Sequence, residues 1–169
     1  YRLPATTTEK EMLDMVEFLN NDSEIDGYII QLPLPKHINE YRVINAIKPE
    51  KDVDGFTSIN AGRMQLGLPC FIPATPNGIM ELIQRSKIET AGKNVVVLGR
   101  SNIVGTPMAV LMSRKGIDST VTLCHSRTQN IAEITRQADI IVVAIGKQGF
   151  LTADMVKPGV TIIDVGIHR

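Results

Sequence analysis

Several absences narrow the class of this chain before any motif is read. Its 169 residues carry only two cysteines, Cys70 and Cys124, far apart and in neither a C-x-x-C nor a metal-ligand spacing. A disulfide framework and a zinc site are therefore not expected, and no other metal site is; the reading is two free buried thiols in a reducing, cytoplasmic compartment. Lys and Arg number 18 against 18 Asp and Glu, so the formal net charge is zero. That balance leaves no basic stripe, and neither nucleic acid nor an anionic membrane is expected as a partner. No apolar run is long enough to cross a bilayer. No secretory leader is expected, and the sequence shows no internal repeat or low-complexity segment. The chain opens at Tyr1 without an initiator Met and stops soon after an apolar stretch, Val160 to Val165, which is expected of a piece of something longer.

What is present is organised around Asn94 to Val110. Val95 to Leu98 read as a strand buried on both faces, running into Gly99, a turn, Gly105 and then Pro107 near a helix start. Such a strand, glycine turn and helix aim backbone N–H groups and the positive helix end at one spot, which suits the pyrophosphate of a dinucleotide. The dinucleotide pattern Gly-x-Gly-x-x-Gly is matched in part, with Ser101 in the second glycine's place. A buried strand turning tightly into a packing helix is the alternative on this segment alone.

Upstream, Thr8 with Glu11 three residues on predicts a capped helix carrying Met12, Val16 and Leu19 on one face and ending at Asn20 to Asp22. Tyr28 to Leu32 reads as a short buried strand closed by Pro33 and Pro35, in which Gln31 is either a satisfied structural amide or a group presented to a ligand. A second helix is expected from about Asn39 to Ile47, with Val43, Ile44 and Ile47 inward. The run Glu50 to Asp52 leads to Asp54, flanked by Val53 and Phe56. These acids read either as a solvated loop or, for Asp54, as a carboxylate whose partner is a ligand edge with two adjacent donors, of the aminopyrimidine type.

Cys70 to Gly78 is rich in turn formers and reads as the crossing between two domains, with Thr75 or Asn77 capping the helix that follows. From Gly92 onward strands and helices alternate. Strands are expected at Val95–Leu98, Thr120–Leu123, Ile140–Ala144 and Val160–Val165, with helices from about Pro107 to Arg114 and Asn130 to Gln137, the pattern of a doubly wound parallel sheet. The second strand of such a sheet normally ends in an acid that holds the adenosine ribose 2′-OH; Leu123 to Thr128 offers none, and supplies hydroxyls and Arg127 instead. With Arg100 after the first glycine, this favours NADP over NAD. His125 reads as a structural strand-end imidazole or as an acid–base group. Ala144, Ile145 and Gly146 mark the backbone that approaches the nicotinamide side.

Five stretches together resemble the methylenetetrahydrofolate dehydrogenase/cyclohydrolase family, in order and at the family's spacings. They are Asp26-Gly27 through Gln31-Leu32-Pro33-Leu34-Pro35-Lys36-His37, Lys51 to Phe56, Pro73 to Gly78, Gly99 to Pro107, and Cys124-His125-Ser126. The resemblance covers the whole chain. It implies residues 1–75 as the C-terminal part of a folate-binding α/β catalytic domain, and 76–169 as an NADP-binding Rossmann domain incomplete at its end. The activity implied is hydride transfer from 5,10-methylenetetrahydrofolate to NADP, then hydrolysis of the methenyl product to 10-formyltetrahydrofolate. Both steps would share one cleft, in a homodimer joined through the cofactor domain and serving one-carbon metabolism and purine biosynthesis.

Carried over by motif, Gln31 matches the family's active-site Gln and Asp54 the carboxylate that anchors the pterin. Thr75, Gly99, Arg100, Ser101, Gly105, Ser126, Ala144, Gly146 and Ile167 match positions at the cofactor, with Arg100 and Ser126 toward the 2′-phosphate. Ala74 stands where many members have Cys, and Ile145 where some have Thr. The family's catalytic Lys and its neighbouring Tyr are expected upstream of Tyr1, and the Pro-Gly-Gly loop and last Rossmann strands downstream. Lys36, Lys51 and Lys93 are not substitutes for that Lys, since each sits outside its motif. Two other readings stay open: a non-catalytic NADP-binding module, and a Rossmann dehydrogenase of another substrate class, such as shikimate.

Overall fold

The computed structural model describes residues 1–167 and divides into two compact units, residues 1–73 and residues 74 onward. The first holds three helices. Helix α1, Glu9–Asn21, starts as its sequence dictates: Thr8 Oγ1 accepts from the Glu11 N–H at 3.2 Å, while Glu11 Oε2 accepts from the Thr8 N–H at 2.8 Å. Helix α2, Glu40–Asn45, is capped by the side chain of Asn39, which accepts from the Arg42 N–H at 3.1 Å. Val16 of α1 and Val43 and Ile44 of α2 gather with Ile30, Ile38 and Ile47 into the core of this unit.

Helix α3, Ser58–Leu66, is an element the hydrophobic pattern did not reveal. Only Asn60 and Met64 are buried along it, so it carries no apolar stripe at helical spacing. Its ends are set by the Thr57 cap and by Gly67, which closes it in the left-handed region at φ 71°.

The strand expected at Tyr28 to Leu32 does not form. Among the described residues this stretch makes a single parallel bridge, Tyr28 to Asp52, with the Tyr28 N–H donating to the Lys51 carbonyl at 3.0 Å. Nor is it buried on both faces, since Ile30 is inside while Ile29 is 56% exposed and Gln31 faces out. A ladder needs a partner alongside for several residues, and here the two backbones meet at one pair only.

The second unit is the parallel sheet. Strands β1 (Asn94–Leu98), β2 (Thr120–Cys124), β3 (Ile140–Val143) and β4 (Thr161–Asp164) lie in the order β2-β1-β3-β4, every pairing parallel. Helix α4, Ala74–Arg85, and helix α5, Gly105–Ser113, cover one face, where Ile79, Ile83, Met108 and Met112 pack on Val95, Val97, Ile140 and Val142. Helix α6, Ile131–Arg136, lies on the other, with Ile131 and Ile134 against Val96, Leu98, Ile141 and Val143. Helices on both faces explain why β1 and β3 read as unbroken apolar runs. Helix α4 begins at Ala74, earlier than expected, so Thr75 and Asn77 are inside it rather than capping it. Pro76 is tolerated because the first-turn N–H groups have no partner within the helix.

Candidate functional site

In this sheet the chain leaves β1 toward β2 on one side and returns to β3 on the other. The crevice beyond the carboxyl ends of β1 and β3 is therefore where the fold can take a ligand. At β1 that edge is Gly99, whose φ is 114° and where a Cβ would stand 2.7 Å from the Ala144 carbonyl oxygen. Gly105 is constrained more tightly, because its Cβ would fall 2.0 Å from the Gly99 carbonyl oxygen. The first glycine of the turn is thus required by the backbone that follows β3, and the last by the approach of α5 to the end of β1. Between them, the Ser101 hydroxyl oxygen accepts from the N–H of Val104 at 3.1 Å and from that of Gly105 at 3.4 Å. It takes up two amides at the start of α5 and leaves its own hydrogen to donate outward.

Arg100 and Ser126 are exposed on this rim, and among the described residues the Arg100 guanidinium has no carboxylate partner. The His125 Nδ1 accepts from the Arg127 N–H at 3.2 Å, and the His125 backbone N–H donates to Thr128 Oγ1 at 2.9 Å. Both bonds hold the loop after β2, and the first is a structural use of the imidazole. Beyond β3 and β4, Gly146 and Gly166 let two backbones nearly touch: a Cβ on Gly146 would lie 2.7 Å from the Ile167 carbonyl oxygen, and one on Gly166 would lie 2.5 Å from that of Ile145. Ile167 itself is exposed at this edge. Gly166 escaped the sequence reading, although its place just after an apolar strand was the available signal.

A cavity of about 400 Å³ opens between the ends of β1 and β2 and the loop after β3. Cys124, Ile131, Ile145 and Phe150 give it apolar walls, and His125, Ser126 and Lys147 its polar ones. Its size and mixed lining suit a small planar ligand. Burial raises the pKa of the Cys124 thiol on that wall, which keeps it protonated and inert. Phe150 and Lys147, with the Lys147 ammonium 5.7 Å from the ring centroid, were not legible from the sequence, since only the folded loop brings them to this cavity. Thr75 is exposed in the first turn of α4.

In the first unit, Gln31 faces a groove of about 600 Å³ bounded by residues 1–5, α1 and the 25–38 segment. Its amide nitrogen donates to the Leu32 carbonyl at 3.1 Å. Because the Tyr28–Asp52 bridge is parallel, Gln31 and Asp54 both leave it at the same end. Asp54 is half-buried and accepts no hydrogen bond among the described residues; loss of solvent, and then the nearby Asp52 charge, raise its pKa. Lys51 and Lys93 are otherwise engaged. Lys51 Nζ donates to the carbonyls of Leu19 at 3.0 Å and Asp22 at 2.6 Å, closing the end of α1, and Lys93 lies 3.5 Å from Glu89. Among the described residues no helix is long and apolar enough to cross a membrane, and no cluster of three or more potential metal ligands is present.

Glycine geometry of this kind belongs to many dinucleotide folds, so comparison with known proteins decides the family. The model of the tetrahydrofolate dehydrogenase/cyclohydrolase NAD(P)-binding domain matches residues 73–169, and that of the catalytic domain matches residues 1–54. The chain belongs to the tetrahydrofolate dehydrogenase/cyclohydrolase family. It is 63% identical over 169 residues to the bifunctional protein FolD of Flavobacterium johnsoniae, which covers 99% of this chain and 57% of that relative. Among solved structures, the FolD dehydrogenase/cyclohydrolase of Campylobacter jejuni superposes with a TM-score of 0.96 at 44% identity, over 100% of this chain and 60% of that one. The Trypanosoma brucei enzyme, solved with NADP cofactor and inhibitor, gives 0.92 at 39% identity, over 98% of this chain and 57% of that one. The chain thus spans under two thirds of the length of these family members.

Proposed function

We propose that the full-length protein oxidises 5,10-methylenetetrahydrofolate with NADP and hydrolyses the resulting methenyl compound to 10-formyltetrahydrofolate. On this reading it is a cytoplasmic homodimer, joined through the cofactor domain, that supplies one-carbon units to purine biosynthesis. The observation that carries it is the pairing of two dissimilar sites in one family chain: a glycine turn built for backbone approach at Gly99 and Gly105, and a half-buried carboxylate at Asp54 with no partner among the described residues. A plain dinucleotide binder has use for the first and none for the second.

The residues divide the work by chemistry. The N–H groups of the turn and the Ser101 hydroxyl bind the pyrophosphate, and Arg100 with Ser126 hold the 2′-phosphate. Gly146, with the backbone around Ala144 and Ile167, lies along the nicotinamide side, and Thr75 faces the cofactor from α4. Bound NADP supplies the hydride acceptor. Asp54 accepts two hydrogen bonds from the aminopyrimidine edge of the pterin, which fixes how the folate lies. Gln31 donates and accepts at the one-carbon bridge. A carboxamide has no useful pKa, so Gln31 assists hydrolysis through hydrogen bonds while the proton is managed by an ionisable group, which in the family is a Lys on an N-terminal helix.

The test is Asp54→Ala in the full-length protein, with tetrahydrofolate and NADP titrated separately by calorimetry. The folate dissociation constant should rise at least about tenfold, the loss of one charge-assisted contact, and that for NADP should stay unchanged. Parent affinity for folate would return Asp54 to an ordinary loop acid.

A further inference from the structure

Asp52 is the most deeply buried acid of the first unit, at 1% exposure, and no cation neutralises its carboxylate among the described residues. Three N–H donors do that work. Oδ1 accepts from the Phe56 backbone N–H at 3.1 Å, while Oδ2 accepts from the Thr57 N–H at 2.8 Å and from Asn60 Nδ2 at 2.9 Å. Asn60 Nδ2 also donates to the Pro49 carbonyl at 2.9 Å, so its amide is fixed from a second side. Since Thr57 caps α3, the Asp52 carboxylate sits at the amino end of that helix, where its partial positive charge favours an anion.

The main chain of the same residue holds the other arm of the turn. The Asp52 carbonyl accepts from the Gly55 N–H at 3.1 Å, closing a four-residue turn with Asp54 at its third position. Gly55 has φ 67°, and a Cβ there would come within 2.5 Å of the Phe71 carbonyl oxygen, so the turn is pressed against backbone behind it. Burying a charge merely to satisfy two amides is costly, and a neutral side chain would cap α3 at less desolvation. What the carboxylate adds is rigidity: three charge-assisted bonds on one group, at the root of the turn that carries Asp54.

The geometry points to Asp52 as a positioning residue, which holds Asp54 through the head of α3 so that both Asp54 oxygens meet a two-donor edge on the pterin. It rests on the reading of Asp54 given above. Two-point hydrogen bonding tolerates little misplacement, so loosening the turn weakens folate binding without touching the ligand.

The experiment compares Asp52→Asn, Asp54→Ala, their double variant and Asn60→Ala in the full-length protein, titrating tetrahydrofolate and NADP well below each melting temperature. Asp52→Asn should weaken tetrahydrofolate about tenfold and leave NADP unchanged, and the double variant should bind it within about twofold of Asp54→Ala, because residues acting through one another are not additive. Asn60→Ala keeps the charge and removes one of its donors; it should weaken tetrahydrofolate by about threefold, and it carries the test if Asp52→Asn fails to fold. A folded Asp52→Asn with parent folate affinity and only a lower melting temperature would overturn the inference, as would a double variant whose losses simply multiply. If Asp54→Ala itself kept parent affinity, the reading of Asp54 would fall first and this one with it. If Asp54→Ala weakened folate and Asp52→Asn did not, this inference alone would fall.

Discussion

The two turns of this chain that present ligand groups are built in opposite ways. At Gly99 to Gly105 the groups offered are backbone amides, and the shape is enforced by sterics: two backbones approach so closely that a single added carbon collides with them. At Asp52 to Thr57 the group offered is a side chain, and the shape is enforced by a buried charge on three donors. A steric constraint has no tolerance and no pH dependence. An electrostatic one can be loosened by degrees.

The sharpest way to break this comparison is Gly105→Ala. Its methyl group would stand 2.0 Å from the Gly99 carbonyl oxygen, and neither backbone can give without pulling α5 off β1. Overpacking of this kind should cost about 3 kcal/mol or more, read as a drop in the midpoint of urea unfolding with unchanged slope. A loss within experimental error would mean that the helix is free to shift, and that the glycine is not required.

Next in size is Arg100→Ala, which asks whether cofactor choice lives in side chains mounted on that rigid turn. In the full-length protein NADP should weaken by roughly 2 kcal/mol, the range for a charged hydrogen bond, with NAD nearly unaffected. Equal losses for the two cofactors, measured by titration, would move the selectivity elsewhere.

The smallest effect sharpens the contrast by pH. The pKa of Asp54 is raised by desolvation first and the Asp52 charge second, so the folded state holds this proton more tightly than the unfolded chain does. Ionised Asp54 therefore destabilises the fold, fully so above its raised pKa. That cost fades as pH falls through the raised value and is gone below the ordinary carboxylate range. Asp54→Asn should accordingly be slightly more stable than the parent at neutral pH, and the difference in melting temperature should close on acidification. A difference that stayed constant with pH would remove proton linkage from Asp54, whereas Gly105→Ala is expected to show the same loss at every pH.

Features that depend on near neighbours could be read from the residues alone. The Thr8 capping box, the buried runs of β1 and β3, and the glycine turn between β1 and α5 were all legible, because caps, periodicity and steric freedom are properties of residues within a few positions of one another. Tertiary structure decided the rest. Tyr28 to Leu32 has strand composition and no ladder, since pairing depends on a second backbone lying alongside. Helix α3 has no apolar stripe and is held at its head by Asp52, a residue that composition assigned to a solvated loop. Lys147 and Phe150 become the wall of a cavity only when the loop after β3 folds back toward β2. Whether a carboxylate is hydrated or buried on three donors depends on which distant atoms displace its water, and no local pattern around Asp52 and Asp54 carries that information.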